Sequence, residues 1–309
     1  MRDYVRTNNK HSEQMSKQFI LGKHLIPFFG KKTLDGVKSQ DVECYKKAKE
    51  HEGLSHKTIN NHLTVLRKAL ATAVEWGRLE TVPVVKWLKV MRNEPRFLSQ
   101  DEAERLIATV TPEPWQEVFY LTLNTGMRLG EVLAVRWEDI DWLQHTLTIS
   151  RSVSRGVIGT PKNNQLRHIP LSDEVISMLE KRQNRLRAKK DFIFSDNEKP
   201  FSGFRAQAAI KYAAKKAGLE NVHWHALRHT FASILVQNGA SIRSVQSLLG
   251  HSSIVITEHY SHLSQPALKS AMSFISFGAM PESFGHPVVT GQKIVSQNPK
   301  PLTFQIVAT

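Results

Sequence analysis

Cysteine is nearly absent from this chain. Cys44 is the only one among 309 residues, so no intramolecular disulfide can form, and an isolated cysteine reads as a small buried apolar residue without a chemical role. Long apolar runs are missing as well. Nothing approaches the roughly 20 residues needed to cross a bilayer, and the opening MRDYVRTNNK has no apolar stretch of the kind a signal peptide carries. The expectation is a soluble, cytoplasmic protein. No GxxxxGK[ST] phosphate loop occurs, which removes one common route to nucleotide hydrolysis. Acidic residues are also scarce, 28 Asp and Glu against 42 Lys and Arg, for a formal charge of +14 and a pI near 9.8. That imbalance suits a polyanionic partner such as nucleic acid or an acidic membrane surface.

What is present is length enough for two cores of ordinary size. The basic excess is uneven: up to Arg96 there are 19 Lys and Arg against 10 Asp and Glu, +9 of the +14. Within that third, SHKTINNHLTVLRKALATAVEW sets Ile59, Leu63, Leu66, Leu70 and Val74 on one helical face. Lys57, Asn61, Thr64 and Lys68 fall on the other side, a face able to reach phosphates or base edges, or simply to meet solvent. Two shorter helical patterns precede it, over about 14–27 and 38–51, separated by FFGKKTLDGV. The pattern restarts near 91–97, where Ser99 followed by Glu102 forms a capping-box signature.

Beyond that boundary the spacing predicts helices at about 99–109, 114–124, 173–188, 203–217, 225–238, 241–249 and 254–262. HTLTISRSV and LRHIPL read as two antiparallel strands joined by a turn. The fold class expected is mainly α with a small antiparallel β-sheet. From about 276 the periodicity lapses, which suggests a flexible tail.

Three clusters carry chemistry. NTGMRLGEVLAVRW brackets Arg128 with Gly126 and Gly130 and places Glu131 three residues after the arginine; alone, such a pair reads as a weak surface contact. HWHALRHTFAS holds His223, His225, Arg228 and His229. His225 and His229 are one turn apart, as zinc ligands can be, but no HExxH glutamate stands between them, and no metal or other cofactor is expected. LLGHSSIVITEHYSHL sets His251 nine residues before Tyr260, with His259 and His262 beside it.

In this order the three clusters resemble the tyrosine recombinases, or phage-type integrases. Their pattern is an Arg in a TGxRxxE box, a Lys on a β-hairpin, an HxxR box, then LGH and a Tyr. Here those positions are Arg128 with Glu131, Lys162 in TPKNNQLRHIPL, His225 with Arg228, and His251 with Tyr260. The resemblance covers about 15–265 and is strongest over 125–263. It implies a helical, SAM-like core-binding domain over 1–93 and a catalytic tyrosine-recombinase domain over 97–275, with 276–309 as the tail.

The chemistry that the resemblance implies suits these residue types. Tyr260 is the nucleophile, and its phenol needs a base or a positive field because its free pKa is about 10. Arg128 and Arg228 clamp the phosphate through bidentate forks without a metal. Lys162 protonates the leaving hydroxyl, His225 exchanges the nucleophile's proton, His251 donates to the phosphate and Glu131 supports Arg128. His229 reads as a hydrogen-bonding residue inside a helix, and His259 and His262 as neighbours. Lys57, Asn61 and Lys68 are the DNA-binding candidates.

The implied function is site-specific cleavage and rejoining of double-stranded DNA through a 3′-phosphotyrosine, in integration or excision. The implied assembly is a homotetramer on two DNA sites that passes through a Holliday junction, aided by accessory DNA-bending proteins, in a bacterial or phage setting. Rival readings are a type IB topoisomerase, which would relax supercoils, and a catalytically silent DNA-binding regulator.

Overall fold

The computed structural model describes residues 7–91, 95–111, 113–161, 166–186, 191–196 and 198–264. Helix α1 (His11–Ile20) runs through a π-helical stretch, Leu21–Leu25, into the short α2 (Ile26–Phe29). The widened turn lies just before Pro27 in the first turn of α2, whose missing N–H cannot bond back to the preceding turn. The segment expected at 14–27 is therefore longer and less regular than its spacing suggests. Helices α3 (Ser39–His51) and α4 (His56–Glu75) follow, and Ser55 caps α4 by accepting the Thr58 N–H at 3.3 Å.

Helix α4 faces as its spacing predicts. Ile59, Leu63, Leu66 and Leu70 are buried and Val74 is half-buried, while Lys57, Asn61 and Thr64 are exposed. Lys68 is half-buried and pairs with Glu75 at 3.4 Å. The α4 side chains meet Leu25, Phe29, Val37, Val42 and Tyr45 in one apolar core. Cys44 is a correction: it is exposed, because Val42, Tyr45, Lys46 and Lys49 take the inward face of α3.

A second core begins at Leu98. It is built by α5 (Gln100–Thr109), α6 (Glu113–Thr125), α7 (Leu129–Ala134), α8 (Asp173–Arg185), α9 (Gly203–Lys216) and the first half of α10 (Trp224–Gln237). Helix α5 opens on the expected capping box. The Ser99 hydroxyl accepts the Glu102 N–H at 3.1 Å, and the Glu102 carboxylate accepts the Ser99 N–H at 3.0 Å. A third, smaller apolar cluster joins Ala232 and Val236 of α10 to Val245 and Leu249 of α11 (Ile242–Leu249) and to Tyr260.

Strands β1 (Ile140–Asp141), β2 (Thr146–Ile149) and β5 (Arg167–Pro170) form one antiparallel sheet in the order β1-β2-β5, with Thr146 opposite Pro170 and Ile149 opposite Arg167. The two predicted strands are thus paired, but no single turn joins them. A separate hairpin, β3 (Ser152–Ser154) and β4 (Val157–Gly159), intervenes. Its turn puts Arg155 and Gly156 at φ 51° and 78°, the left-handed pair that a two-residue hairpin loop requires. A short pair, β6 (Ser195–Asp196) and β7 (Lys199–Pro200), completes the strands described.

The helix expected over 254–262 is instead two 3₁₀ segments, Ile254–Ile256 and Glu258–Ser264. Ile254, Val255, Ile256 and Thr257 are all β-branched, which lowers α-helical preference. The expected tail, 276–309, lies outside the described residues, as does Lys162. Among the described residues no helix is long and apolar enough to cross a membrane. The mixture of helices with small antiparallel sheets is the class that the sequence predicts.

The two faces of α4 can be told apart by substitution. Leu63→Ala should lower unfolding free energy by about 2–5 kcal/mol, whereas Asn61→Ala on the exposed face should change it by less than about 0.5 kcal/mol. Urea denaturation followed by circular dichroism measures both. Equal effects would mean that the helix does not face as described.

Candidate active site

Arg128 is the residue at which α7 begins, and Glu131 lies in the first turn of that helix. The Glu131 carboxylate accepts the Arg128 N–H at 2.9 Å and its Nη1 at 2.9 Å. Taken alone, the TGMRLGE spacing suggests a solvated pair, and the structure corrects this: Glu131 is 1% exposed. A second guanidinium explains how that burial is tolerated. Arg167, on β5, donates Nη2 to Glu131 at 2.6 Å and Nη1 at 3.2 Å. Burial by itself would raise the Glu131 carboxyl, but the hydrogen bond and charge of Arg167, together with those of Arg128, reverse that and hold it at about 2.

The glycines of the same box are steric requirements. Gly126 sits at φ +62°, and a Cβ there would lie 2.4 Å from Phe231 and 2.9 Å from Leu249. At Gly130 a Cβ would lie 2.4 Å from the Val153 carbonyl, so this glycine lets α7 and β3 meet.

The LLGH box supplies acceptors. Gly250 ends α11 in the left-handed conformation, φ 63°. The Gly250 N–H bonds to the Ser247 carbonyl at 3.0 Å and the His251 N–H to the Gln246 carbonyl at 3.1 Å, the double closure of a Schellman ending. The next three carbonyls lie past these closures, at the end of the helix, and three arginines take them in turn. Arg167 Nε donates to Leu248 at 3.0 Å, Arg228 Nη2 to Leu249 at 2.7 Å and Arg128 Nη2 to Gly250 at 3.1 Å. Arg228 also donates Nη1 to the Gly126 carbonyl at 2.8 Å. The TG and LG boxes, more than 120 residues apart, thereby hold one guanidinium between them. Burial, and then the charge of Arg128, bring Arg228 down to about 9, which leaves it cationic at neutral pH.

Beside this turn lies a cavity of about 240 Å³ whose lining includes Arg128, Arg167, Arg243 and His251, with Pro161 and Leu166 on one side. Those last two residues flank 162–165, which lie outside the described residues. The His251 Nδ1 is 2.9 Å from the Thr257 hydroxyl. Burial first, then Arg228 and Arg128, depress His251 to about 3, so its ring is neutral at pH 7. When Thr257 donates to Nδ1, Nε2 carries the hydrogen and is free to act as a donor.

Tyr260 is 3% exposed among Ala232, Val236, Val245 and Leu249, and burial pushes its phenol up to about 12. Its hydroxyl is hydrogen-bonded to His229 Nδ1. His225 is exposed at the start of α10, its ring centroid 6.4 Å from that of His229. His259 is exposed, His223 Nδ1 lies 3.2 Å from the Asn221 carbonyl, and the His262 side chain is outside the described residues. The structure therefore gathers Arg128, Glu131, Arg228 and His251 around one turn; Tyr260, on the 3₁₀ segment Glu258–Ser264, packs against α10 and α11, and His225 stands in the first turn of α10. Lys57, Asn61 and Lys68 lie apart on α4.

Sequence reasoning missed two participants. Arg167, which lies within the predicted strand LRHIPL and is given no role by the sequence, is the second partner of Glu131. His229, read as a generic helical hydrogen-bonding residue, is the partner of the tyrosine hydroxyl. Among the described residues no group of three His, Cys, Asp or Glu is arranged to hold a metal ion.

Because the folded Glu131 carboxyl lies below its ordinary value of 4.5, its contribution to stability is present above about pH 4.5 and is lost as pH falls toward about 2. Glu131→Gln, which leaves Arg128 and Arg167 without their carboxylate, should destabilise the protein by about 3–5 kcal/mol at pH 7. The deficit should shrink on acidification over that window. Thermal unfolding of both proteins between pH 7 and pH 3 checks this, and a deficit that did not change with pH would contradict the ionised triad.

The chain is 26% identical over 276 residues to the ICEBs1 integrase of Bacillus subtilis (strain 168), covering 83% of this chain and 75% of that one. It is 32% identical over 237 residues to the tyrosine recombinase XerC of Xanthomonas axonopodis pv. citri (strain 306), covering 73% of each. The fold is shared with the Tn1549 transposon integrase, solved in complex with a circular intermediate DNA, at a TM-score of 0.75 and 21% identity over 88% of this chain and 97% of that one. It is also shared with a lambda integrase fragment, solved as a dimer bound to a COC′ core site, at a TM-score of 0.70 and 18% identity over 84% of this chain and 92% of that one. A profile of the phage integrase family matches residues 96–266, the stretch that holds the arginine-accepting turn and the buried tyrosine, and the chain belongs to that family, the tyrosine recombinases of site-specific DNA recombination.

Proposed function

We propose that this recombinase breaks a phosphodiester by attack of the Tyr260 hydroxyl. The Oη–P bond forms, the bond from phosphorus to the 5′ oxygen breaks, the phenol gives its proton to His225, and Lys162 delivers a proton to the leaving 5′ oxygen. Arg128, Arg228 and His251 hold the non-bridging oxygens as charge builds there. Glu131 keeps Arg128 in place, and His225 serves proton exchange. The 3′-phosphotyrosine conserves the energy of the broken bond, so the 5′ hydroxyl of a second strand can displace the tyrosine without ATP or a cofactor.

The observation that carries this reading is the turn at Leu248, Leu249 and Gly250. It fixes three guanidiniums beside a cationic cavity, and the element bearing Tyr260 packs on the same helix. The remaining parts of the proposal follow from that chemistry. Residues 1–93 serve as a DNA-binding domain that grips the duplex with the α4 face of Lys57, Asn61 and Lys68. Residues 97–275 form the catalytic domain, and 276–309 the tail. Four protomers exchange strands in pairs between two DNA sites through a Holliday junction, with accessory bending proteins, to integrate or excise DNA in a bacterial cytoplasm.

Two measurements test the proposal. Incubated with nicked suicide substrates, the protein should form a covalent DNA adduct that Tyr260→Phe abolishes. With supercoiled plasmid it should exchange strands between cognate sites; absence of any adduct would defeat the mechanism, and relaxation without exchange would favour a topoisomerase. DNA affinity should fall as salt rises, each phosphate contact adding about 0.9 to the slope of log affinity against log salt. Lys57→Ala should weaken binding and make that slope shallower by about 1. An unchanged slope would remove Lys57 from the DNA interface.

A further inference from the structure

We propose that His229 is the positioning residue of the nucleophile: its imidazole accepts the Tyr260 hydroxyl and fixes the phenol beside Arg228 until DNA engages it. This rests on the reading of Tyr260 as the attacking group.

The geometry of α10 is the first support. Arg228 and His229 are consecutive, so their side chains leave the helix about 100° apart. Arg228 turns toward the carbonyls of Gly126 and Leu249, and His229 turns toward Tyr260. One helix thus holds the phosphate-binding cation and the nucleophile's hydroxyl through adjacent residues.

Burial is the second support. The Tyr260 ring is enclosed by Ala232, Val236, Val245 and Leu249, side chains that offer its hydroxyl no hydrogen bond. A phenol buried there without a partner would forfeit its hydrogen bonds to water, and His229 supplies the partner. His229 is held to about 4, by burial first and then by the charges of His225, His223, Arg228 and His259. Its ring is therefore neutral at pH 7, and Nδ1 has a lone pair to accept from the phenol O–H.

Position relative to the cavity is the third support. The residues lining the cationic cavity include Arg128 and His251, while Arg228, Tyr260 and His229 are not among them. The hydroxyl is therefore held off the cavity at a defined point, and attack on a phosphate bound there requires it to leave His229. A phenol aimed from one fixed starting pose reaches that phosphate more often than one free to rotate.

The test uses the full chain and the variants His229→Ala and His229→Asn, the latter because its side-chain oxygen can stand near the place of Nδ1 and accept the same hydroxyl. Nitration by tetranitromethane, mapped by peptide mass spectrometry, reads the resting pose. Exposed Tyr212 and buried Tyr45 are internal controls for access and folding. In His229→Ala, Tyr260 nitration should rise about tenfold while Tyr45 stays protected, and adduct formation at saturating nicked DNA should slow about tenfold with DNA affinity within about twofold. His229→Asn should recover both quantities to within about threefold of wild type. A wild-type adduct rate and unchanged nitration in His229→Ala would overturn the positioning role. So would a loss that His229→Asn shares in full. If the wild-type protein forms no adduct at all, the nucleophile reading falls and this role falls with it; an adduct in wild type and an equal one in His229→Ala removes His229 alone.

Discussion

Arg128 and Arg167 share one carboxylate, and the arrangement of the site follows from that sharing. Glu131 is buried to 1% exposure, where a lone carboxylate would be costly, and it stays ionised because two guanidiniums from different elements close on it. One comes from the start of α7 and the other from β5, so the contact fixes helix and sheet to each other. The same two arginines then reach the end of α11, and Arg228 reaches it from α10. Removing the carboxylate would leave like charges crowded at that turn, and the elements that carry His251 and Tyr260 would lose a common reference.

Much of the fold is legible in the sequence because it depends on short-range regularity. The α4 face is written in the spacing of Ile59, Leu63, Leu66 and Leu70, and the α5 start in Ser99 and Glu102. Where a backbone rule competes with periodicity, the reading slips. Pro27 widens the first helix, the β-branched run from Ile254 favours 3₁₀ turns, and the left-handed pair Arg155–Gly156 folds a hairpin out of the end of one predicted strand and the turn expected after it. Cys44 misleads for a plainer reason: its residue type is usually buried, but the inward face of α3 is already occupied.

The site is legible in part for the same reason that its boxes are recognisable. Gly126, Gly130 and Gly250 stand where a Cβ or an ordinary φ would not fit, so the glycines mark the places where elements approach. What the sequence does not show is which residue answers which across long separations. Nothing local distinguishes Arg167 from Arg155 as the partner of Glu131, 36 residues away. Nothing local tells which histidine of HALRH meets a tyrosine 31 residues further on. Those choices are made by packing.

The way Arg228 is anchored has an electrical consequence. Its two hydrogen bonds run to backbone carbonyls, which are dipoles without net charge. A carboxylate in their place would orient the guanidinium equally well but cancel the charge that an anion is meant to meet. Three guanidiniums are held at this turn against the single carboxylate of Glu131, so the protein secures its cations mostly with neutral groups and keeps an uncompensated positive potential beside the cavity. Such a potential is unfavourable in the free protein and relieved by an arriving phosphodiester. Under the proposed mechanism, the free energy of binding DNA is thereby concentrated at the scissile phosphate.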